Sequence, residues 1–204
     1  MSLGGDPLVW GSGKNVTDLE GLDAPFVKFQ PSLCARCNNQ RSQKSDLAWA
    51  RFTDFLWKNE NTANDETFDM REVFGGGWAV GGRNVARYVV KHLGCRIVES
   101  GFAPPPPFVG FLDGAPRAEE SQVFLCRSPA RYAFEKQAVL DGLDGRGYWL
   151  PPQSGRLDPS GTSLVEYASA VLVGAVGVAV WWSSSLKAAS GFFEHPRTPL
   201  VAID

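Results

Sequence analysis

Apolar residues recur with a helical period in two stretches of the chain. Trp49, Phe52 and Leu56 stand at i, i+3 and i+7 with Phe55 beside them, and predict a helix from Asp46 to about Trp57, capped by Ser45. Arg51, Thr53 and Asp54 fall on its other faces, and the aromatic stripe reads as core. A longer helix is predicted from Arg83 to Ser100, where Val85, Tyr88, Val89, His92, Leu93, Arg96 and Ile97 recur at helical spacing and Gly101 stands at the C-cap. On that helix His92 reads as a hydrogen-bonded core residue and Cys95 as a small buried hydrophobe.

The remaining stretches lack that period. Residues 1–32 read as loop and irregular strand, with Lys28–Gln30 a short strand ahead of Pro31. Residues 58–82 read as a surface connection running into a tightly turned Gly-rich loop. That loop lacks the Gly-Lys-Ser/Thr ending of a phosphate-binding loop. Pro104–Pro107 reads as a stiff polyproline II connector. From residue 121 the pattern turns to strands, at Gln122–Cys126 and Tyr148–Leu150. Residues 167–186 carry no charge over the length of a membrane span, but Gly174, Gly177 and several Ala and Ser dilute the run. Two buried strands, 163–174 and 176–182, are the expectation, with a membrane anchor as the alternative.

Composition narrows the class. The chain has 204 residues, enough for one medium domain or a small module plus a larger one. Twelve per cent aromatic residues, with 7 Trp, imply a core built from large rings. A net charge of -2 excludes a global electrostatic pull toward nucleic acid, so any such binding needs a local basic patch. Met1–Gly13 lacks the pattern of a cleavable signal peptide, and 4 Cys do not suggest a disulfide framework, so a reducing cytoplasm is expected.

The candidate chemistry lies just ahead of the first helix. Cys34-Ala35-Arg36-Cys37 has the spacing of half a tetrahedral zinc site, and only Cys95 and Cys126 remain as further thiols. Arg36, Arg41, Lys44 and Arg51 cluster around this turn and helix as candidate phosphate contacts, or as ordinary solvated charges. Asp46 is either a metal ligand or a first-turn carboxylate favoured by the helix dipole, the second being preferred.

Leu33-Cys34-x-x-Cys37-Asn38, followed by Ser42 and Asp46, resembles the second half of the zinc-bearing HNH endonuclease motif, and Leu3-Gly4-Gly5 adds to the match. The resemblance covers about residues 2–57. It implies a treble-clef, ββα-metal fold that hydrolyses phosphodiester bonds, with structural zinc on Cys34 and Cys37, Asn38 and Asp46 as motif positions, and DNA as partner. A second, divalent metal would serve catalysis. The catalytic His and first Cys pair of that family would lie before Leu3, whereas the only histidines here are His92 and His195. The expectation is therefore an N-terminally shortened, catalytically incomplete nuclease relative with a weak two-thiolate zinc site. The resulting fold class is α+β: a partial treble clef over 1–60, then helices and a mainly antiparallel β region over 61–204. The alternative is a non-catalytic binding or structural protein with an incidental Cys pair.

Overall fold

The charge-free run 167–186 forms the centre of a β-sheet. Strands β7 (Leu164–Val173) and β8 (Val176–Ser183) pair antiparallel around a turn at Gly174, whose φ of 59° suits glycine. In this computed structural model, which describes residues 8–12, 15–19, 40–142 and 147–203, no helix is long and apolar enough to cross a membrane among the described residues. The stretch takes the strand form because small residues alternate with Val, giving a surface that pairs with neighbours on both sides.

The elements follow in order. A hairpin, β1 (Leu8–Ser12) and β2 (Asn15–Leu19), stands where loop and irregular strand were expected. Helix α1 (Gln43–Lys58) is followed by a 3-10 turn, Glu60–Asn64, then β3 (Thr67–Asp69), α2 (Met70–Phe74) and the long α3 (Trp78–Glu99). Next come α4 (Pro106–Leu112), β4 (Ser121–Arg127) and α5 (Pro129–Leu140). Short strands β5 (Tyr148–Trp149) and β6 (Ser154–Leu157) precede β7 and β8. β9 (Ser190–Gly191), β10 (Arg197–Pro199) and β11 (Val201–Ala202) complete the chain.

The main sheet runs β11-β4-β8-β7-β5, with β6 on β7 and β9 on β4; β9 and β11 are parallel to β4, and every other pair is antiparallel. The architecture is α+β. Alternation sorts the two sheet faces. Val123, Leu125, Val171, Val178 and Val180 share one core with Trp49, Phe52 and Leu56 of α1 and Val85, Val89 and Leu93 of α3. Cys126, Ala170, Leu172 and Ala179 form a smaller cluster on the other face.

Several expectations change in the structure. α1 begins at Gln43, not Asp46, and Thr53 is buried at 2% exposure because its hydroxyl donates back to the Ala50 carbonyl at 2.9 Å. Gly81 and Gly82 lie inside α3 and not in a loop. A Cβ on Gly81 would stand 2.5 Å from Phe74 Cδ1, and one on Gly82 would stand 3.1 Å from Phe193 Cβ. Close packing, not turning, requires glycine there. Pro106 and Pro107 open α4 and do not continue an extended spacer, since the first helical turn needs no amide proton from them. Residues 129–140, in a region whose pattern reads as strands, form α5; Ser128 caps it by accepting from the Arg131 amide at 3.1 Å, and Pro129 follows at the first position.

Candidate functional site

The start of α1 is fastened to the middle of α3. Ser42 has helical backbone angles, so its hydroxyl does not cap the helix amides, and the capping role expected for Ser45 is not taken up either. Ser42 Oγ instead donates to Asp46 Oδ2 at 2.8 Å. Lys91 Nζ donates to Asp46 Oδ1 at 2.6 Å and to Ser42 Oγ at 3.1 Å. The hydroxyl thus gives one proton and receives one, and both carboxylate oxygens are engaged. Asp46 is a first-turn carboxylate that anchors a lysine.

Aromatic packing backs this triad. The Lys91 ammonium stands 5.3 Å from the Tyr88 ring centroid, and Tyr88 stacks on Trp49 at 4.7 Å with 10° between planes. His92 follows Lys91 and stacks more loosely on Tyr88, at 6.4 Å. Burial, with Arg96 and Lys91 beside it, pushes the imidazole down to about 4.

A cavity of about 420 Å³ opens beside the triad, between the start of α1, the middle of α3, and α4. Arg41, Lys44, Arg87 and Lys91 bring positive charge to its wall, against one carboxylate among the described lining residues, that of Asp113. Arg41 reaches across to Asp113 at 2.9 Å. Arg87 is a structural cation: Nε donates to the Phe111 carbonyl and a terminal nitrogen to the Ala115 carbonyl, each at 3.0 Å, and the guanidinium lies over the Phe111 ring. It neutralises the carbonyl end of α4. Burial, reinforced by Arg83, lowers its pKa from the usual guanidinium value.

Of the residues expected to meet phosphate, Arg41 and Lys44 come together at this cavity. Arg51 does not join them; it lies over the Phe74 ring at 5.3 Å, two turns further along α1. Arg36, Cys34, Cys37 and Asn38 lie outside the described residues. Lys91, Arg87 and Asp113 were not singled out from sequence as site residues. The i, i+4 spacing of Arg87 and Lys91 on a strongly periodic helix is the signal that marks them as one face.

The described thiols do not meet. Cys95 is buried on α3, whereas Cys126 lies on the sheet face turned away from that helix, and its burial pushes the thiol up to about 12. Cys126 is therefore a structural hydrophobe and not a thiolate donor. Among the described residues, no group of three or more His, Cys, Asp or Glu side chains is placed to hold a metal ion.

No family model, curated protein or solved structure matches this chain.

Proposed function

We propose that this chain binds nucleic acid through the start of α1, as a zinc-bearing relative of the HNH endonucleases. One observation carries the reading: Arg41 and Lys44 flank the first turn of a helix whose start is held in place by the Lys91–Asp46–Ser42 triad. Cations on an anchored helix start lose less freedom when they meet phosphate than cations on a loop. Arg51 extends the same side of α1 about 10 Å further along the axis, the length of about three phosphate steps of one strand. The Cys34-x-x-Cys37-Asn38 motif directly ahead in sequence supports a structural zinc that would steady the chain feeding the helix.

The proposal is binding without hydrolysis by this chain. A general base works best with a pKa near the operating pH, and His92, held at about 4 by burial and by the nearby Arg96 and Lys91, is a weak one. His195 is exposed in the C-terminal segment.

Anisotropy of a fluorescein-labelled DNA duplex, titrated over a range of salt, tests the reading. Binding should weaken as salt rises, and Lys44→Gln should reduce the salt slope by about one unit. Metal analysis of the purified protein should find zinc that Cys34→Ser with Cys37→Ser removes. Absence of duplex binding at low salt sinks the nucleic-acid reading, and zinc content unchanged in the double variant sinks the knuckle.

The rival is a protein-binding module. α5 favours it, since it buries Ala138 alone and exposes Phe134, Val139 and Leu140.

A further inference from the structure

We propose that the cavity between α1, α3 and α4 is a binding site for an amphipathic anion, an aliphatic chain ending in a carboxylate. Its volume of about 420 Å³ lies within the range of small-molecule sites. Its wall is divided by chemistry. Val98 of α3, Pro104 just ahead of α4, and Val109 and Leu112 of α4 supply aliphatic surface, and Arg41 and Lys44 at the start of α1 supply cations. Val98 and Val109 remain 41% and 46% exposed, so aliphatic surface lines the opening instead of packing into the core.

The cations are not equivalent. Lys91 is committed to Asp46 and Ser42, and Arg87 to the Phe111 and Ala115 carbonyls. Lys44 lines the same cavity and has no ion-pair or hydrogen-bond partner among the described residues. Arg41 is bridged to Asp113, but both side chains are about half-exposed, so a ligand carboxylate exchanges for Asp113 at little cost. A single headgroup charge therefore meets Lys44, with Arg41 as second donor, while the chain lies along the valines.

An aliphatic tail fits better than a nucleobase. The aromatic ring in the wall, Phe108, is 1% exposed and presents no face for stacking. The site shares Lys44 with the proposed duplex contact but does not depend on it.

Calorimetric titration of the whole protein with decanoate, decanol and deoxyadenosine monophosphate tests the proposal. Decanoate should bind with one-to-one stoichiometry, and decanol at least about tenfold more weakly because it lacks the charge. Val109→Asp should abolish decanoate binding and leave duplex binding unchanged, because a carboxylate is then placed in the aliphatic wall. Lys44→Glu, at an exposed position that folding tolerates, should weaken decanoate about tenfold. Failure of decanoate to bind, or equal binding of decanol, overturns the proposal. Binding of the nucleotide without decanoate also overturns it and assigns the cavity to a nucleic-acid end. Loss of duplex binding with decanoate retained would refute only the nucleic-acid reading.

Discussion

Asp46 shows how much one side chain decides. Its carboxylate is 39% exposed, yet it compensates the ammonium of Lys91, which is only 15% exposed. Asp46→Asn should destabilise the protein by about 1–3 kcal/mol in urea unfolding, because a partly buried cation loses its counter-charge. Lys91→Met combined with it should cost less than the two single changes summed, since each removes the same contact; strict additivity would show that the pair is not coupled. His92 sets a pH dependence of definite sign. Its folded pKa of about 4 lies below the unfolded 6.5, so the unfolded chain binds the proton more readily. The stability held above pH 6.5 should therefore fall as pH drops toward 4 and level off below it, by about 3 kcal/mol from this residue. His92→Gln should flatten that limb of the stability curve, and an unchanged limb would assign it to other groups. The depressed pKa was invisible in sequence, because Arg96 and Lys91 are near neighbours in any helix but the burial comes from packing.

At the scale of elements, glycine had two meanings that pattern could not separate. Gly81, Gly82 and Gly177 look like breakers but sit where another group comes too close for a side chain. A Cβ on Gly177 would run into the Val171 carbonyl oxygen and stand 2.6 Å from Leu172 Cα, both backbone of the neighbouring strand. Gly177→Ala should therefore cost about 3 kcal/mol or more, by forcing β7 and β8 apart. Gly76→Ala, where a Cβ meets nothing within 4 Å, should change stability by less than about 1 kcal/mol. Thermal unfolding of the two variants compares them directly, and similar losses would refute the close-approach account. The strongly periodic helices and the strands flanking Gly174 were legible, because their side-chain spacing is dictated by the element itself. α5 was not, since its apolar residues point outward and leave no stripe.

For the whole molecule, α1 and the sheet are parts of one core: Trp49, Phe52 and Leu56 pack in the same cluster as Val85, Val171 and Val178. Helical circular dichroism and tryptophan fluorescence should therefore give coincident unfolding transitions. Separate transitions would support a division of the chain near residue 60. The C-terminal segment closes this core, with β10 pairing β3 and β11 pairing β4, both strands remote in sequence. Of the candidate site, the sequence by itself determined the chemical inventory: a Cys pair, then cations and a carboxylate at a helix start. It determined too the periodic helices and the α+β class, because side-chain spacing and turn residues act locally. Only the tertiary structure decided that Lys91 occupies Asp46, that Arg41 and Lys44 share a cavity while Arg51 stands apart, and that Cys126 is sealed from α3 by the sheet. Those outcomes depend on distances between residues remote in sequence, which packing sets and local pattern does not carry.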